Sequence, residues 1–149
     1  MNNFVIFFSL EYNVNGHDSA EKSAQRLREF CSETTFDQEN YVCDLIVQSG
    51  SNCTDAHLNK DAFGSDDLHY LIDFDSGFLG DTPEVYRSNS ESIRKEYSHL
   101  NDKEYRDQRL KLLQLFIQIP NIFATKEFRE KYEKQARENI ATEIELLKE

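Results

Sequence analysis

The chain has 149 residues, 38% of them apolar, which suits one domain with one core. Five glycines and two prolines are too few for a turn-rich β protein or a linker. A formal net charge of −11 repels a phosphate backbone, so nucleic acid is not an expected partner, and no run approaches the roughly 20 apolar residues that span a membrane.

The apolar start, FVIFF from Phe4 to Phe8, is too short for a signal peptide and has no basic residue before it. Cys31, Cys43 and Cys53 are an odd set without paired spacing, which reads as free thiols in a reducing, cytoplasmic compartment. The acids are spread along the chain and read as solvated helix faces.

Taken in order, the elements are helical. Asp18 followed by Glu21 has the spacing of a capping box, and Ala20, Ala24, Leu27 and Cys31 then recur at helical spacing. A second helix follows Thr35 or Asp37, with Val42, Leu45, Ile46 and Ser49 on one side. Gly50 to Gly64 is polar and aperiodic and reads as a loop. A third helix begins near Ser65 and stops near Gly80. Thr82-Pro83-Glu84 opens a fourth, with Tyr86, Ile93, Tyr97 and Leu100 as its stripe. A fifth spans about Asp102 to Gln118, carries Tyr105, Leu112, Leu113, Phe116 and Ile117, and is stopped by Pro120. The last runs from Thr125 to the end, with Phe128, Tyr132, Ala136, Ile140, Ile144 and Leu147 on one face. No strand-like alternation competes, so the expected fold is a single all-α domain over 1–149.

Two carboxylates stand out in YLIDFDSGFLGD, residues 70–81. With Leu68 at zero and about 100° per residue, Asp75 falls near 340°, inside the apolar stripe, and Asp73 near 140°, on the wet side. Asp73 is therefore expected at the surface and Asp75 facing the core. An inward carboxylate must be hydrogen-bonded, paired or metal-bound. Asp75 could accept hydrogen bonds from a Tyr or Arg, or act as a metal ligand or general acid/base, unless the segment is not helical.

From Phe7 onward the chain resembles a group of predicted metal-dependent phosphohydrolases of the HD superfamily. The resemblance rests on Tyr12, Glu21, Ser23 and Ala24, then on Asp73-Phe74-Asp75 with Leu79-Gly80. It continues through Tyr86 and Ile93-Arg94-Lys95-Glu96-Tyr97, and Arg109, Leu113 and Phe116. Ile122-Phe123-Ala124-Thr125 and Phe128 follow, and Glu133, Ala136-Arg137, Asn139 and Glu143 close the pattern. It implies a helical domain around a divalent metal that activates water against a phosphate ester. The superfamily's ligands are a His, a His-Asp pair and a later Asp, and by position Asp75 is the later Asp. The His-Asp pair is replaced by Phe8 and Ser9. The earlier His would lie on a helix before Met1, and a further family histidine aligns with Asn52.

The remaining histidines are expected at the surface: His57 in the loop, His69 well off the inward face, His17 before a cap, and His99 at a helix end. A rebuilt metal site would need His57 with Asp75. Cys53 and His57, four residues apart, are the one Cys–His combination. No Gly-rich phosphate loop, Cys-x-x-Cys or nucleophile elbow occurs.

The leading expectation is a degenerate HD-like domain, shortened at its N-terminus and without catalysis or cofactor. It would act as a small-ligand or protein-binding module, with the Phe4–Phe8 run as a surface for a partner or self-association. The alternatives are an active metal-dependent phosphohydrolase, with replaced ligands or an incomplete chain, and a decayed gene product without a selected role.

Overall fold

A computed structural model describes residues 10–11, 16 and 18–149. The Phe4–Phe8 run, Ser9, Tyr12 and His17 lie outside the described residues. Every regular element among the described residues is helical, and the only β pairing is an isolated bridge between Gly64 and Thr125. The all-α expectation therefore holds. The chain divides into two compact units, residues 1–52 and 53–149.

In the first unit, helix α1 (Ser19–Ser32) packs against α2 (Glu39–Ser49). Of the predicted faces, Ala24, Leu27 and Cys31 meet Val42 and Ile46, and Cys43, outside the predicted face, joins them. The Cys43 thiol donates to the Ala24 carbonyl at 3.5 Å, so the helices approach closely. Burial pushes both the Cys31 and Cys43 thiols up, which keeps them protonated and inert. One expectation fails. Asp18 does not cap α1 through its side chain; it pairs with Lys22 at 2.9 Å. Asn52 ends the unit with φ of 51°, the left-handed region, where asparagine is among the few non-glycine residues tolerated. Its side-chain type thus suits a turn.

The second unit opens with a surprise. The expected loop contains a short helix, α3 (Asp55–Leu58). Helix α4 (Asp67–Ser76) then tightens into a 3₁₀ turn, Gly77–Gly80, so the predicted single helix over 65–80 is two structures. Helix α5 (Pro83–Glu96) starts on its proline, as expected. Helix α6 (Asp102–Gln118) is capped reciprocally: the Glu104 N–H donates to Asn101 at 3.0 Å and the Asn101 N–H donates to Glu104 at 3.1 Å. Leu113 is fully buried on α6, whereas Leu112 points outward. The last predicted helix is interrupted. A short α7 (Lys126–Phe128) passes through a π turn, Arg129–Glu133, into α8 (Lys134–Lys148).

The core of this unit gathers Leu79, Tyr86, Leu113, Phe123, Ala136 and Ile140, with Ile122 and Ile144 beside them. The α8 stripe read from sequence supplies one wall. The 3₁₀ turn crosses that wall at Gly80, where a Cβ would lie 2.5 Å from Tyr132 Cβ and 2.8 Å from its carbonyl oxygen. Only glycine permits this approach. Gly80→Ala is expected to destabilise the protein by about 2 kcal/mol through overpacking, read from urea denaturation. A neutral result would mean the turn is free to move away from Tyr132.

Candidate functional site

The two acids of α4 exchange the places expected of them. Asp73 is fully buried, and Asp75 is exposed. Asp73 faces the segment between α6 and α7, which is irregular yet buried from Asn121 to Thr125. The Ala124 N–H donates to Asp73 Oδ1 at 2.7 Å. The Thr125 N–H and hydroxyl donate to Oδ2 at 2.8 and 2.6 Å. Thr125 is the N-cap of α7, so this carboxylate also stands at that helix's N-terminal end. Both oxygens are committed to structure.

Glu133 repeats the device one step earlier, accepting the N–H groups of Ile122 at 3.0 Å and Phe123 at 3.2 Å. Arg129 donates to the carbonyls of Phe123, Ala124, Ala56 and Ala62, and Arg137 donates to those of Ile117, Ile119 and Pro120. Buried backbone that is not helical is thus satisfied by side chains.

His57 corrects a second expectation, since it is 1% exposed. Its Nδ1 accepts the Thr54 N–H at 3.0 Å at the start of α3, which leaves its proton on Nε2. That Nε2 is buried without a partner among the described residues. Burial pushes the imidazole pKa down; Asp73 opposes this, while His69 and Arg129 reinforce it. His69 is half-buried, its Nδ1 accepting the Asp66 N–H at 3.2 Å, and its ring lies so close to Gly64 that a Cβ there would meet it at 2.2 Å. His99 is exposed and stacks with Tyr97 at 6.0 Å. Cys53 is exposed, and the His57 nitrogen that could activate a thiol is already turned to Thr54, so the Cys–His combination is not assembled.

Among the described residues the donor set does not fit a catalytic metal. Phe8 has no ligand atom, Ser9 is a poor substitute for a carboxylate, and the exposed Asp75 has no partner ligands: among the described residues no three His, Cys, Asp or Glu side chains gather to hold an ion. His57 and Asp75 do not form the rebuilt pair.

A concave site lies elsewhere in the second unit. A pocket of about 450 Å³ opens between α5, α6 and α8, within the size range of ligand sites. Pro83, Tyr86, Tyr105, Leu146 and Leu147 make its apolar surface. Its inner wall is braced by a network centred on Glu143. Arg109 donates to Glu143 from Nε at 2.7 Å and from Nη2 at 3.0 Å, Ser90 donates at 3.1 Å, and the Tyr86 hydroxyl donates as well. Burial pushes the Glu143 carboxyl up, but these donors outweigh it and hold the group below its ordinary range. Burial and the carboxylate push the Tyr86 phenol well up, so it remains a proton donor. No single residue announced this pocket in the sequence, because its walls come from three helices.

No protein-family model matches the chain, and no curated protein or solved structure matches it either.

Asp73→Ala strands three buried donors and is expected to cost about 3 kcal/mol of stability, read from chemical denaturation. His57 gives a pH signature. Its folded pKa lies below the ordinary 6.5, so the unfolded chain binds the extra proton first. Its contribution to stability is intact above pH 6.5 and is lost as pH falls below that value toward the folded pKa. His57→Gln keeps an acceptor for the Thr54 N–H and removes the titration. The fall in urea midpoint between pH 7.5 and 5.5 is expected to be smaller in the variant than in the parent; equal falls would assign the acid sensitivity elsewhere.

Proposed function

We propose that this chain is a degenerate relative of the HD-superfamily phosphohydrolases that no longer performs metal chemistry and serves as a small-ligand-binding module. The observation that carries this reading is the pocket between α5, α6 and α8. It is formed, largely apolar and of ligand size, and it does not include Asp75. Its wall residues Tyr86, Asn139 and Glu143 belong to the set on which the resemblance rests.

The resemblance is supported by the way its residues find one another. Asp73 meets Thr125, Tyr86 and Arg109 meet Glu143, and Arg137 reaches Glu133 at 2.7 Å. Asn139 donates to the carbonyls of Leu79 and Asp81, both at 2.9 Å. Residues far apart in the sequence pattern act as partners, as a set belonging to one fold must. Loss of catalysis is supported by Phe8 and Ser9, which stand where the His-Asp pair is expected.

The test is metal content by mass spectrometry on the purified protein, with Asp75→Ala alongside and a phosphatase assay on phenyl phosphate. The expected outcome is no stoichiometric Mn, Fe, Co or Zn in either protein and no turnover. Near-stoichiometric metal that disappears in Asp75→Ala would overturn this reading in favour of an active phosphohydrolase with replaced ligands.

A further inference from the structure

The chemistry of the pocket's ligand follows from a count of which protons its walls have left to give. Most side-chain donors there are already spent. The Tyr86 and Ser90 hydroxyls donate to Glu143. Both amide protons of Asn139 go to backbone carbonyls. The Thr142 hydroxyl donates to the Glu138 carbonyl at 2.8 Å, and Gln135 donates to Asn139 at 3.0 Å. Arg94 is held by the carbonyls of Tyr97 and Leu100 and by Asp102 at 2.7 Å, with its guanidinium over the Tyr105 ring.

What the walls retain is mostly lone pairs. The oxygens of Tyr86 and Thr142 keep acceptor capacity after donating, and Ser90 Oγ, which already accepts from Arg109 Nη2 at 3.4 Å, keeps one lone pair. Two exposed carboxylates, Glu91 and Glu138, stand at the rim. Against them stand Arg87, whose charge helps hold the neighbouring Glu84 carboxyl below its ordinary range, and Arg94, already committed to Asp102. Glu138 has only a loose, exposed contact with Lys134 at 3.9 Å. Glu143 itself accepts four donors, about the capacity of a carboxylate. A phosphate or carboxylate entering here would find few donors and would face acids on a chain of net charge −11.

We infer that the pocket takes a cationic, proton-donating aromatic molecule, an arylalkyl amine in chemical class, and disfavours anions, phosphate esters included. The aromatic body packs among Pro83, Tyr86, Tyr105 and Leu147, and the ammonium turns to the hydroxyl oxygens and the Glu91 and Glu138 carboxylates. This inference rests on the binding-module reading and gives it a ligand class.

Three probes share one ring system and differ in charge: tryptamine, tryptophol and indole-3-acetate. Each is titrated against the whole chain, with binding followed by NMR chemical shifts. Tryptamine is expected to bind about tenfold more tightly than tryptophol, and indole-3-acetate more weakly than either. The double variant Glu91→Gln/Glu138→Gln should weaken tryptamine by about tenfold and leave tryptophol unchanged. Thr142→Phe, at an exposed position on the pocket wall, should abolish binding of both without altering the circular dichroism. Indole-3-acetate binding as tightly as tryptamine would overturn the ligand class and leave the binding module standing. Tryptamine binding that survives Thr142→Phe would overturn the assignment to this pocket. Failure of all three probes to bind would overturn the arylalkyl amine class, whereas the loss-of-catalysis reading stands or falls with metal content and phosphatase turnover.

Discussion

The constraint on which the second unit depends is a stretch of backbone that is buried but belongs to no helix. After a half-buried Ile119 and an exposed Pro120 the chain passes through the interior from Asn121 to Thr125, and each buried peptide group needs a partner that water cannot supply. Asp73 and Glu133 each take a pair of N–H groups, while Arg129 and Arg137 take the carbonyls. The Asn121 N–H donates to the His57 carbonyl at 3.1 Å, and the Asn121 side chain donates to those of Ala56 and Asn59. Two carboxylates and two guanidiniums thus substitute for a ladder. The π turn is part of the same arrangement, since Arg129 opens it and Glu133 closes it.

This division of labour separates scaffold from surface. The polar residues buried most deeply in the second unit are occupied with one another or with the main chain. Arg109 and Glu143 form a pair with side chains only 6% and 14% exposed, supplemented by Tyr86 and Ser90. Such a pair is no guarantee of stability, because desolvation offsets much of its attraction, but removing one member would leave a buried charge. Its position behind the pocket fixes the shape of that wall. What remains for recognition is what the scaffold has not used, and that remainder is rich in acceptors.

Much of the architecture was legible in the sequence because amphipathic periodicity survives in long helices. The faces of α1, α2 and α8 pack as their spacing indicates, and the Thr82-Pro83 start was correct. The two acids of α4 were misassigned for a physical reason. Leu68, Leu71 and Ile72, at about 0°, 300° and 40°, are by themselves enough to turn Asp75 inward on a helical wheel, so the angular pattern of α4 alone misleads. Burial on α4 also follows axial level: Leu71, Ile72 and Asp73 are buried consecutively, while Phe74 and Asp75 are exposed. Asp73 is inside because loop donors reach it, and a helical wheel carries no information about donors that arrive from residues 124 and 125. His57 was hidden for a simpler reason, since a four-residue helix is too short to display a period.

Glu133, Arg137 and Asn139 sit on one helical segment and hold three different places: the buried loop, the end of α6 and the 3₁₀ turn. Asp75, exposed on α4, is not one of these anchors.

The bonds from Asp73 to Ala124 and Thr125 join residues 51 and 52 apart. During synthesis, α4 therefore emerges long before the donors that make burial of its acid tolerable. The charged side chain favours the solvated state of that helix until the residues after Pro120 arrive, and closing so long a loop sets an entropic threshold for consolidation. Burial of Asp73 in its native setting therefore waits until residues 124 and 125 have been made.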